Sequence, residues 1–120
     1  MPEAAPLTIS VDRSDPAAPV LGVAGDLAYD TAAPLREEID DLLGGRPTTL
    51  VFDFTGLLFL DSTGLSVLVH AWQVGQEVGA GVELRAVPRF LTTILDLTGV
   101  AGLLERQVDE RPRFGSSASA

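Results

Sequence analysis

The chain has 120 residues, 46% of them hydrophobic, with eight basic against seventeen acidic side chains and a net charge of −9. That length suits a single hydrophobic core, and a chain this apolar with so modest a charge does not belong to the disordered class. All eight basic residues are arginines, scattered from Arg13 to Arg113 without forming a stripe, which excludes DNA and RNA as main partners because phosphate backbones require clustered positive charge.

Missing residue types narrow the chemistry further. Without cysteine there are no disulfides, thiolate nucleophiles or cysteine-ligated zinc. Without lysine there is no Schiff-base chemistry and no Walker A lysine. His70 is the one imidazole, too little for a metal centre or an acid–base pair. No basic residue precedes Arg13 and no apolar h-region follows Met1, so the N-terminus does not read as a secretory signal. The longest nearly apolar stretch, Ala17–Gly25, is far short of the roughly 18 residues that span a bilayer. These features predict a soluble, cytoplasmic protein with no direct membrane insertion, as a monomer or weak homodimer.

In chain order, Leu7–Val11 alternates apolar and polar residues, the period of a half-buried strand. Asp12–Pro16 carries turn residues, and Val20–Gly25 reads as a second strand closing a hairpin. From Thr31 the period becomes helical: Leu35, Ile39, Leu42 and Leu43 share one face, with Pro34 in the first turn and Gly44-Gly45 ending the helix. Thr49–Phe54 is apolar at nearly every position, as in the middle of a covered sheet. The apolar run Leu57–Leu60 reads as a loop, mostly core, with a contact surface as the alternative. A second helix follows to about Val78, its buried stripe predicted as Leu65, Leu68, Val69 and Trp72. Val82–Val87 alternates as a strand, and a third helix after Pro88 uses Phe90, Ile94, Leu95 and Leu97 before closing at Gly99. Leu103–Val108 fits either a short edge strand or a helical turn. The order predicts an α/β fold, a mixed sheet of four to five strands covered by three to four helices. Residues 1–111 form the domain, and 112–120 are a flexible Ser/Ala/Gly-rich tail.

Chemistry concentrates where the buried strand gives way to Asp61-Ser62-Thr63-Gly64 at a helix start. There the first backbone N–H groups lack partners and the helix dipole is positive, which suits an anion. Equally, Asp61 or Ser62 fits a plain N-cap. Asp53 ends a strand as a receiver acid would, but a receiver's lysine is missing; it fits a loop-capping acid. His70 lies eight residues from Ser62 on the same helix, about 12 Å of rise, too far to activate a serine nucleophile, and no Gly-x-Ser-x-Gly elbow is present. Asp26, Asp30 and Asp61 are loop carboxylates that suit helix dipoles better than a metal. No catalytic residues, metal ligands or cofactor are predicted.

Leu60-Asp61-Ser62-Thr63-Gly64-Leu65, following Asp53-Phe54-Thr55-Gly56, resembles the signature of STAS domains, specifically the stand-alone anti-sigma factor antagonists. Gly25-Asp26-Leu27 resembles that family's turn into its first helix, and Leu97-Thr98-Gly99-Val100 its third-helix ending. The resemblance covers residues 7–108. It implies a STAS-like single domain that is not an enzyme. Such a protein binds an anti-sigma factor that is also a Ser/Thr kinase, frees a sigma factor, is switched off by phosphorylation of Ser62, and is reset by a phosphatase. It also implies a partner surface formed by Asp26, Tyr29, Asp30, Asp61, Ser62, Thr63, Gly64 and Leu65. The sequence departs from the family at Ala28, where Asp is frequent. That departure keeps open a second use of the domain, as an accessory subunit of a membrane lipid transporter or an adaptor in a signalling assembly.

Overall fold

The structure, a computed structural model, describes residues 6–99 and 105–108; the tail expected over 112–120 lies outside them. The elements run β1 (Thr8–Asp12), β2 (Val20–Leu27), α1 (Ala32–Gly44), β3 (Thr49–Asp53), β4 (Leu57–Leu60), α2 (Ser62–Val78), β5 (Gly81–Val87), α3 (Arg89–Thr98) and β6 (Glu105–Val108).

The main sheet has the order β1-β2-β3-β5-β6. β1 pairs antiparallel with β2, as the hairpin expectation requires, and every other pairing is parallel. β2 is long enough to serve two neighbours. Val20–Gly22 pairs with β3, and Gly25–Leu27 pairs with β4 across a register shift at Gly25/Asp26. Gly25 has φ 99°, and a Cβ there would lie 2.1 Å from the Pro6 carbonyl oxygen, so the bend that redirects β2 needs glycine.

β4 corrects the reading of Leu57–Leu60 as a loop. Its burial is Leu57 and Leu60 inside, Leu58 and Phe59 out, a spacing of three that hides the two-residue period of a strand. The ambiguous segment after α3 resolves as β6, parallel to β5.

One cluster fills the space between sheet and helices, including Leu21, Leu27, Leu35, Ile39, Leu43, Phe52, Phe54, Leu68, Leu84, Leu91 and Leu95. Phe52 of β3 and Phe54 just beyond its end stack with ring centroids 5.7 Å apart, a pairing that adds about 0.5–1.5 kcal/mol beyond its buried area. The buried face of α2 is Gly64, Val67, Leu68, Ala71 and Gly75, rotated from the predicted stripe. Small residues let this helix pack closely on the chain that follows it: a Cβ on Gly75 would lie 2.8 Å from the Ala80 carbonyl oxygen and 3.6 Å from a Val82 methyl of β5. Leu65, Val69 and Trp72 are therefore half-buried flanks. In α3 the buried residues are Leu91 and Leu95, while Phe90 and Leu97 are exposed.

Candidate functional site

β2 and β4 run parallel and end side by side at Leu27 and Leu60. From that shared end the chain enters α1 through a short turn and α2 through Asp61 alone. The turn closes on itself: the Thr31 hydroxyl donates to the Asp26 carbonyl (2.6 Å) and accepts from the Ala28 amide (2.9 Å), and the Thr31 amide donates to the Ala28 carbonyl (3.0 Å).

Asp61 joins this turn to α2. Its Oδ1 accepts from the Gly64 amide at 2.9 Å, capping the helix, and its Oδ2 accepts from the Tyr29 amide at 3.0 Å. The Asp61 amide in turn donates to the Leu27 carbonyl at 3.2 Å. The cap left open between Asp61 and Ser62 is thus Asp61, and Ser62 is the first helical residue, exposed. Gly64 is buried because α2 seats directly on β2: a Cβ there would lie 2.5 Å from the Leu27 carbonyl oxygen.

The expected partner residues fall into two groups. Tyr29 (83% exposed), Asp30 and Ser62 lie on the surface at this end. Asp61, Thr63, Gly64 and Leu65 are half-buried or buried and chiefly shape that surface. Asp26 is half-buried on β2, opposite Phe59. The amides of Ser62 and Thr63 carry no hydrogen bond among the described residues, so they are the donors that the start of the helix offers an anion. No group of three His or acidic residues is placed to hold a metal ion among the described residues.

Sequence reasoning missed three features. Leu58 and Phe59 are exposed on β4 beside the site (69% and 49%); a run of four apolar residues does not say which of them face out. Arg36 of α1 faces α2 across an open groove lined by Ser62, Leu65, Ser66, Val69 and His70. His70 bridges the two helices: Nδ1 lies 3.2 Å from Arg36 Nη2 and Nε2 lies 2.7 Å from Asp40 Oδ1. These partners are 34 and 30 residues apart in sequence, so no local pattern announces them. Asp53 is a loop cap, its Oδ1 accepting from the Thr55 amide and hydroxyl.

The family model described as "Mlab, STAS domain" matches residues 10–105. The chain belongs to the STAS domain family. The anti-sigma-F factor antagonist RsfB of Mycobacterium tuberculosis is 39% identical to this STAS domain over 67 residues, 55% of each chain. The domain therefore spans about half the length of that curated relative. A crystal structure of an anti-sigma factor antagonist from Mycobacterium paratuberculosis superposes with a TM-score of 0.70 and 29% identity, covering 83% of this chain and 84% of that one. The phosphorylated form of the Bacillus cell fate determinant SpoIIAA matches in fold, with a TM-score of 0.69 at 16% identity over 85% and 93% of the two chains. The α/β STAS fold expected from the sequence is the one observed. No helix among the described residues is long and apolar enough to cross a membrane.

Proposed function

We propose that the protein is an anti-sigma factor antagonist of the bacterial cytoplasm. It binds an anti-sigma factor that is also a Ser/Thr kinase, releases the sigma factor in a stress-type transcriptional response, and is inactivated when that kinase phosphorylates Ser62. It is the substrate and the switch, and catalyses nothing itself; a phosphatase restores it. The observation that carries this reading is the exposed Ser62 hydroxyl at the first position of α2, beside the Asp61-clamped Tyr29 turn.

The physics of the site supports it. A phosphoryl group brings about 1.5 to 2 negative charges to a helix start whose dipole and open amides accommodate an anion. The fold should therefore survive. The contact with a partner should not: a dianion pressed into an interface beside Asp61 meets desolvation and like-charge repulsion.

The test is a capture from native lysate with wild type and Ser62→Asp as parallel baits, followed by mass spectrometry of the retained proteins and of Ser62 itself. A kinase-type anti-sigma factor held by wild type and lost by Ser62→Asp, with phosphate on Ser62, is the expected result. The second reading, an accessory subunit of a lipid transporter, has Ala28 in its favour. It expects transporter subunits retained equally by both baits and Ser62 unmodified.

A further inference from the structure

We infer that Arg36 is the counter-charge for a phosphoryl group on Ser62, delivered from a resting place on His70; the inference deepens the phosphorylation reading above and rests on it. Arg36 and Ser62 line the same groove, and no other residue lining it is a permanent cation.

The axial geometry favours the exchange. Each helix follows one of two parallel strands and leads into another strand parallel to it, so α1 and α2 run in the same direction. The bond between the Tyr29 amide and Asp61 sets their starts level. Arg36 is four residues into α1, about 6 Å of rise, while His70 is eight residues beyond Ser62, about 12 Å. Its backbone thus stands about midway between the two. Helical side chains lean toward the N-terminus, here the Ser62 end.

The present bond of Arg36 is a weak one. The Arg36 guanidinium can only donate, so His70 Nδ1 at 3.2 Å is its acceptor and the ring proton lies on Nε2, toward the Asp40 carboxylate at 2.7 Å. Arg13 and Arg85, by contrast, sit on carboxylates. Among the acids nearby, Asp40 is engaged by His70, and Asp61 by the Tyr29 and Gly64 amides. A phosphate dianion offers Arg36 a bidentate, charge-assisted partner that a neutral imidazole cannot match. The dianion would then be held by the Ser62 and Thr63 amides on one side and by the guanidinium on the other.

The experiment places phosphoserine at position 62 during translation, so that no kinase is needed, in the otherwise wild-type chain and in Arg36→Gln. Phosphorus NMR follows the second ionisation of the phosphate, and proton NMR follows the His70 ring. With Arg36 present the second phosphate pKa is expected about one pH unit lower than in Arg36→Gln, and phosphorylation moves the His70 ring resonances further when Arg36 is there to leave it. Arg36→Lys, which keeps the charge without the fork, should fall between them and serves if the glutamine variant does not fold. The same phosphate pKa with and without the cation overturns the inference. Native protein that never carries phosphate on Ser62 removes the switch reading instead, whatever the NMR comparison gives.

Discussion

Asp61 is the residue on which the site turns, because its two carboxylate oxygens serve two different segments. Asp61→Asn keeps an acceptor for the Gly64 amide but presents an NH2 group to the Tyr29 amide, while Asp61→Ala removes both acceptors. The expected losses in urea unfolding are about 1 kcal/mol for Asn, one hydrogen bond, and about 2 kcal/mol for Ala, which also loses the cap. Equal losses would mean that the two oxygens do not divide the work as the geometry requires. A second residue-scale case is Ala86, at φ 54° where β5 shifts register against β6. The left-handed region costs an L-residue roughly 1–2 kcal/mol, more than the extra unfolded-state freedom of glycine, about 0.4–1 kcal/mol. Ala86→Gly should therefore raise stability by about 0.5–1 kcal/mol, and a lower midpoint in urea would contradict this.

Among the elements, α2 matters most, since it carries Ser62 at its mouth and rests on β2 through Gly64. Gly64→Ala should improve helix propensity by about 1 kcal/mol. The added Cβ, however, would meet the Leu27 carbonyl oxygen at 2.5 Å and the Leu27 and Leu60 Cγ atoms at 2.9 Å. Overpacking of that kind costs about 1–3 kcal/mol, so the variant should be less stable by about 1 kcal/mol and should shift the amide resonances of Tyr29 and Ser62 together. An unchanged spectrum would show that the helix start has slack. The sequence revealed the long elements well, because α1 repeats its apolar face regularly and β3 is apolar throughout. The buried face of α2 was not legible, since glycine and alanine at Gly64, Ala71 and Gly75 carry little hydrophobic signal even where they make the closest contacts. β4 was hidden because an edge strand of four residues, with neighbouring Leu58 and Phe59 both turned out, has no readable period. At the site, Ser62 and Asp61 were legible from a short motif, whereas the Tyr29 clamp and the Arg36–His70–Asp40 chain depend on pairings more than 25 residues apart.

At the scale of the whole molecule, a net charge of −9 and the exposed Asp30 beside the half-buried Asp61 favour a partner with a basic docking face. A negative charge added at Ser62 would not simply strengthen that attraction. On the proposed reading it would fall within the partner contact, where desolvation decides. The most direct test is calorimetric titration of the captured anti-sigma factor into the protein with and without phosphate on Ser62, with circular dichroism as a check on the fold. The account predicts binding at least about a hundredfold weaker for the phosphoprotein, roughly 2.7 kcal/mol, with the dichroism spectrum unchanged. Equal affinity of the two forms would contradict it.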